Sequence, residues 1–196
     1  MKLKKNILNL KNSKLFNFIV VLLAIILAFC FRLININKWS IWFDESYTVA
    51  LIKYPVDEVV KKTILDVHPP LYYLILKLYS YFFGDGTLAL RTLSALMVAL
   101  IVPIAYFIVR ELNKSRLTSY LTLLVLVLAP ALTRYGQEIR MYALATLLSS
   151  ISTLLIIKAY KKKGQYLLWF LYGFISALGM YTHNFYALTI ISQLIT

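Results

Sequence analysis

Residues 16–31, FNFIVVLLAIILAFCF, form a run of sixteen positions without a charged side chain, and this run decides the class of protein. Its length and composition are close to what a helix needs to cross about 30 Å of hydrocarbon. The whole chain of 196 residues is similarly apolar, with 61% hydrophobic and 15% charged residues and a mean hydropathy of +0.75. One soluble core could not bury so much apolar surface. We therefore predict an all-α integral membrane protein.

Further apolar runs predict a bundle of several spans. The predicted spans are 16–33, 88–109, 117–133, 141–157 and 166–182, followed by a partial span at 185–196. The last run has twelve residues and is too short to cross a bilayer. We therefore expect the chain to be the N-terminal part of a multi-spanning helical bundle that is truncated at its C-terminus.

A secretory signal is the alternative interpretation of the first run, because a group of lysines precedes it. These lysines are Lys2, Lys4, Lys5, Lys11 and Lys14. The run is longer than the apolar part of a usual signal, and no small-x-small cleavage site follows it. We therefore favour a helix that is retained in the membrane.

The basic residues predict the orientation of the chain, whose formal net charge is +13. Twelve of the 21 basic residues lie before the first span, after the second or after the fourth. Besides the five N-terminal lysines, they are Arg110, Lys114, Arg116, Lys158, Lys161, Lys162 and Lys163. The positive-inside rule places these segments and the N-terminus in the cytoplasm. Since the charge is explained by topology, we expect no nucleic-acid partner.

The segment 34–87 is then an outer loop that carries two interfacial helices. Residues 71–83 are apolar but too short to span, and a crossing there would put the later basic segments outside. Their tyrosines suit the headgroup level. A second helix is predicted after Pro55, with Asp57 and Lys61 as an i,i+4 pair.

The acidic pair Asp44 and Glu45 follows the first span, in the aromatic stretch WSIWFDES at 39–46. A carboxylate among aromatic side chains and near cations can be tuned to act as a general base. The alternative is a helix start, where acidic residues are favoured by the helix dipole. From the pair alone, both interpretations stay open.

Five more polar residues share the predicted outer side. His68 and His183 lie in the first loop and after the fifth span, Arg91 opens the second span, and Glu138 and Arg140 lie between the third and fourth. The planar fork of arginine suits phosphate oxygens. A divalent metal held by the histidines and a carboxylate stays open, although no spacing matches a recognised ligand set. The alternative is ordinary surface histidines, and arginines that pair with local acids.

Four motifs in order resemble a known family: FDES at 43–46, HPPLYY at 68–73, Arg91 with Ser94, and QEIRMY at 137–142. Together they resemble the protein mannosyltransferase-type membrane glycosyltransferases, family 39 and relatives, which have the multi-spanning GT-C fold. The resemblance runs from about residue 15 to the C-terminal end. It implies a GT-C-like helical bundle that uses a sugar linked to polyprenyl or dolichyl phosphate.

The resemblance also implies roles for the site residues. Asp44 is expected to deprotonate the acceptor hydroxyl in an inverting displacement, and Glu45 to support it. The residues expected to bind the substrate or its phosphate are His68, Arg91, Glu138, Arg140 and His183, with the two arginines on the phosphate.

The implied partners are the lipid-linked donor, the bilayer, and an acceptor that is a protein, a lipid or a glycan. The implied membrane is the plasma membrane in a prokaryote or the endoplasmic reticulum in a eukaryote, with the active site outside or in the lumen. Two other functions remain: a polytopic lipid or solute transporter, and a non-catalytic membrane subunit. A transporter needs polar or broken helices near the midplane, and the charges here cluster at one outer edge.

Overall fold

The computed structural model describes residues 14–113, 115–162 and 164–195, and in these ranges the chain forms ten helices and no strand. In chain order they are α1 Lys14–Leu33, α2 Phe43–Leu51, α3 Val56–Ile64, α4 Leu71–Phe83, α5 Thr87–Asn113, α6 Arg116–Leu128, α7 Pro130–Gly136, α8 Tyr142–Lys161, α9 Tyr166–Met180 and α10 Tyr186–Ile195. The predictions for Lys2, Lys4, Lys5, Lys11, Lys114 and Lys163 lie outside the described residues. The predicted all-α, multi-spanning class is confirmed.

Three helices in the described ranges, α1, α5 and α8, are long and apolar enough to cross a membrane. Helices α6 and α7 are long and apolar enough only when taken together, with a bend of 52° between them, and this pair is called the broken span below; its crossing stays a prediction. The sequence predicts a span at 117–133 that Pro130 interrupts, and the chain is indeed extended at Ala129 and restarts at Pro130. Proline lacks a backbone N–H and disfavours helical geometry in the residue before it, which explains the break. Helices α9 and α10 are apolar but shorter, so their crossing stays a prediction.

Helix α5 lies at the centre of the bundle. Helices α1, α4, α6, α7 and α8 all pack against it, and eleven of its residues are buried. Towards α1 its contacts involve Ala24 and Ala28, which are buried, whereas Phe18 and Leu27 of α1 are exposed. Small residues let helices approach closely, and exposed apolar side chains suit lipid. Helix α1 therefore presents one narrow face to the bundle and the rest to the bilayer.

The loop 34–87 contains three helices rather than the two predicted. Helix α3 begins after Pro55 and α4 after Pro70, and α4 ends at Gly84, whose φ of 87° favours glycine. The added helix is α2, which carries Asp44 and Glu45 in its first turn. The acidic pair therefore does lie at a helix start, and the general-base interpretation stays a prediction.

Candidate active site

Glu45 is the centre of a buried polar network. Its side chain is fully buried, and its Oε1 accepts hydrogen bonds from Arg91 Nε at 3.0 Å and from the backbone N of Ile139 at 2.8 Å. Its Oε2 accepts from Arg91 Nη2 at 2.7 Å and, closing the start of α2, from the backbone N of Trp42 at 3.4 Å. Charge-assisted bonds of this length are strong in a buried setting. Glu45 therefore joins α2, α5 and the segment before α8.

Arg91 completes this network from the second turn of α5. Its Nη1 donates to the carbonyl of Ile36 at 2.7 Å and to that of Trp39 at 3.0 Å. Each of its three guanidinium nitrogens thus has an acceptor within the chain. Phosphate binding by Arg91 stays a prediction. A phosphate would have to share the Arg91 donors that already tie α2 and the connection before it to α5.

Asp44 points away from this network and is held more loosely. Its side chain is 34% exposed, and Oδ2 lies 3.5 Å from Nη2 of Arg140, whose side chain is 4% exposed. Nη1 of Arg140 reaches the Asp44 carbonyl and Thr48 Oγ1 at 3.4 Å each. Its Nε is buried, with no hydrogen-bond partner among the described residues. These long contacts leave Arg140 with donor capacity beside an accessible carboxylate.

The two histidines meet next to this pair although 115 positions separate them in the chain. Their ring centroids are 5.6 Å apart at 77°, and His183 also lies 6.0 Å from the ring of Tyr142. The guanidinium of Arg140 lies 5.9 Å from the same tyrosine ring. Burial, and then the nearby His68 and Arg140, lower the pKa of His183. A neutral imidazole at this place can both donate and accept a hydrogen bond.

Three residues that the sequence analysis did not single out belong to this cluster. Asp66 Oδ2 lies 3.6 Å from Nδ1 of His68. Burial raises the pKa of Tyr47, and the Asp66 carboxylate raises it further. Burial also raises the pKa of Tyr73, which interacts electrostatically with Arg140 and Asp66. The position of Asp66, two residues before His68, is the one signal that could have pointed to it.

Glu138 lies on the other side of the Glu45–Arg91 pair. It pairs with Arg134 at 3.3 Å and lines a cavity of about 650 Å³. Both Glu45 and Arg91 also line this cavity, together with Trp39, Trp42, Ser40 and Gln137. A smaller cavity of about 350 Å³ is lined by Tyr142 and His183. The predicted site residues therefore fall on two sides of one buried ion pair.

The described residues contain no group of three or more His, Cys, Asp or Glu side chains that could hold a metal ion. His68 and Asp66 with His183 come nearest to one another, but they form ring and ion-pair contacts. We assign no step to a metal.

In a comparison with protein families, residues 67–196 match the dolichyl-phosphate-mannose-protein mannosyltransferase family. The chain belongs to this family. The match includes His68, Arg91, Glu138, Arg140 and His183, and it begins after the acidic pair on α2. It is a glycosyltransferase family of mannosyltransferase type, which agrees with the apolar helices of a membrane protein. Comparisons with curated proteins and with solved structures give no match.

Proposed function

We propose that this mannosyltransferase-type chain transfers a sugar from a polyprenyl- or dolichyl-phosphate donor to an acceptor hydroxyl, with Asp44 as the general base. The observation that carries the proposal is the contact between Asp44, which is accessible, and Arg140, which is buried and under-used as a donor. A reaction that needs a proton acceptor beside a cation suits this arrangement. The acceptor is a hydroxyl group of a protein, a lipid or a glycan.

The chemistry is a single displacement at the anomeric carbon. The acceptor hydroxyl gives its proton to Asp44 as its oxygen bonds to the anomeric carbon, and the bond from that carbon to the phosphate oxygen breaks. The leaving polyprenyl phosphate gains one negative charge, which Arg140 stabilises more in the transition state than in the bound donor. Glu45 is fully occupied by Arg91, Ile139 and Trp42, so it is not free to act as a nucleophile beside Asp44, and we expect inversion.

Glu45 and Arg91 have a different role in this proposal. They hold α2 and the segment 137–140 in register, so that Asp44 and Arg140 face each other. We therefore assign phosphate binding mainly to Arg140 rather than to Arg91. His68 and His183 contact the donor or the acceptor beside Tyr142, and Glu138 contacts the substrate from the larger cavity, where Trp39 and Trp42 offer aromatic faces.

The proposed orientation follows the basic residues. The positive-inside rule puts the N-terminus in the cytoplasm and the loop 34–87 on the opposite side. The acidic pair then works outside a prokaryotic plasma membrane or in the lumen of a eukaryotic endoplasmic reticulum.

The test is transfer from radiolabelled polyprenyl-phosphate sugars by membranes that contain the full-length protein. Asp44→Asn is expected to lower transfer at least about 100-fold, because general-base catalysis contributes about 10²–10⁴-fold. Arg140→Gln is expected to lower kcat/KM for the donor by about 100-fold. The matched control is Asp57→Asn, which changes an exposed aspartate paired with Lys61 on α3 and should leave transfer unchanged. Full activity of Asp44→Asn at normal protein levels would refute the assignment.

A further inference from the structure

Arg32 is a buried cation in the last turn of helix α1. Its side chain has no exposed surface, and no carboxylate lies within ion-pair distance of it in the described part of the chain. Nη1 donates to the carbonyls of Ala28 at 2.8 Å and Val127 at 3.0 Å, and Nη2 donates to that of Leu126 at 2.8 Å. A buried charge without an ion-pair partner is costly unless hydrogen bonds compensate it, so the position of Arg32 calls for a specific reason.

The acceptors of Arg32 lie where α6 breaks. In an uninterrupted helix the Leu126 carbonyl would accept from the N–H of residue 130, but residue 130 is proline and has none. The last carbonyls of a helix need other donors and carry partial negative charge. The Leu126 carbonyl accepts a long bond of 3.4 Å from the backbone N of Ala129. Arg32 adds shorter bonds to this carbonyl and to that of Val127, together with the positive charge. Arg32 therefore caps α6 at the break and ties α1 to it.

The second half of the broken span is attached to the same residue. Gln137 Nε2 donates to the backbone carbonyl of Arg32 at 2.9 Å and to that of Ile34 at 2.8 Å. Gly136 packs directly on the aliphatic stem of Arg32, since a Cβ there would lie 3.1 Å from Arg32 Cγ. Arg32 thus contacts both α6 and the end of α7.

The chain continues from this attachment straight into the candidate site. Two residues after Gln137, the N–H of Ile139 binds Glu45, and the next residue is Arg140, which faces Asp44. A change in the angle between α6 and α7 would therefore move Arg140 relative to Asp44. Displacements of about 1 Å in a catalytic arrangement can cost about 100-fold in rate.

We propose that Arg32, Gly136 and Gln137 form a joint, here called the Arg32 joint, that fixes the bend of the α6–α7 span and so positions Arg140 opposite Asp44. The proposal rests on the proposed function, because it gives the bend a role in sugar transfer. Arg32 is a positioning residue that does not touch the substrate.

Two variants of the full-length protein test the kinetic part. Arg32→Lys keeps the charge but cannot bridge the carbonyls of both helices, and Gly136→Ala pushes the Arg32 stem by a few tenths of an ångström. We expect both to lower kcat, Arg32→Lys by about tenfold or more, while KM for the lipid donor changes by less than about twofold. The matched control is Gly173→Ala in α9, where nothing lies within 4 Å of an added Cβ, and its kcat should be unchanged.

A distance measurement tests the bend without any assay of activity. Spin labels are placed at Leu117 and Tyr135, both exposed, in a background in which Cys30, the only cysteine, is replaced by serine. We expect one narrow distance distribution in the parent and in Gly173→Ala, and a broader one in Arg32→Lys. Parental distributions for Arg32→Lys and Gly136→Ala would overturn the proposal.

The kinetic and distance results together separate the two proposals. A changed bend with parental kcat would reduce the joint to a purely structural feature and also overturn the positioning role. If Asp44→Asn keeps full activity in the same preparations, the proposed function fails, and the joint is then judged by the distance distributions alone.

Discussion

Replacing Glu45 by glutamine tests the buried ion pair on which the site is built. The change keeps the shape of the side chain but removes its charge. It also replaces one carboxylate oxygen, a hydrogen-bond acceptor, with an NH₂ group that can only donate, so the N–H groups that faced this oxygen lose their acceptor. Glu45 is fully buried and accepts from Arg91 at 2.7 and 3.0 Å and from Ile139 at 2.8 Å. Removing one partner of a buried pair costs about 3–5 kcal/mol, because the other charge stays buried without compensation.

The expected loss is large enough to measure in detergent. For a chain of this length, about 1 kcal/mol corresponds to about 2–4 °C in Tm, so Glu45→Gln should lower Tm by about 6–20 °C. Thermal unfolding followed by size-exclusion chromatography of the fluorescently tagged protein gives this value. The matched control is Asp57→Asn, whose exposed pair with Lys61 at 3.3 Å should contribute less than about 1 kcal/mol.

A double variant shows whether the loss belongs to the pair. If Glu45 and Arg91 stabilise each other, Arg91→Met should be less harmful in the Glu45→Gln background than alone, with a coupling of about 1–3 kcal/mol. A Tm for Glu45→Gln within about 2 °C of the parent, or additive effects of the two changes, would refute the buried pair and with it the support for α2.

Two other perturbations test the ends of α9 and α10. His183 lies between these helices with its pKa lowered from 6.5 by burial, His68 and Arg140, so the unfolded chain binds the proton more readily. The contribution of neutral His183 to stability is therefore fully present above about pH 6.5 and is lost as the pH falls. We expect Tm to drop more steeply between pH 8 and pH 5 in the parent than in His183→Gln. Equal slopes of Tm against pH in the two proteins would contradict this. Gly179→Ala would put a Cβ 2.3 Å from the ring of Tyr186, and we expect a loss of about 1–3 kcal/mol, seen as a lower Tm, with Gly173→Ala as the unaffected comparison.

The helices were predictable where the sequence carries a local signal. Proline marks the starts of α3 and α4, glycine marks the end of α4, and uncharged runs mark α1, α5 and α8. The sequence places Pro103 and Pro130 alike as interruptions of spans and does not tell which of them breaks its helix, because proline is tolerated inside membrane helices whenever other groups satisfy the freed carbonyls. Pro103 shows the difference, since α5 continues through it. Whether a proline breaks a span depends on distant donors, here Arg32, which no local pattern reveals.

The candidate site was predictable as a set of residues but not as a set of contacts. The distribution of basic residues and the family motifs predict that Asp44, Arg140 and both histidines lie on one side of the membrane. In the structure their side chains lie near one another. Sequence alone treated Arg91 and Arg140 as equivalent. The structure separates them, because one is saturated by carbonyls and Glu45 and the other retains an unpartnered Nε within the described residues. That distinction depends on burial and on which acceptors are close.

The acidic pair shows why adjacent carboxylates can do different work. Neighbouring residues of a helix point about 100° apart, so when Glu45 faces the buried Arg91, Asp44 must face elsewhere. The buried member fixes the rotation of α2 about its axis, and that rotation determines where the accessible member lies. A base that must meet a mobile acceptor cannot itself be tightly bound, but it needs a rigid support. In this chain Glu45 provides the support and leaves Asp44 accessible. We therefore expect Glu45→Gln to lower both stability and sugar transfer. Asp44→Asn should lower sugar transfer alone.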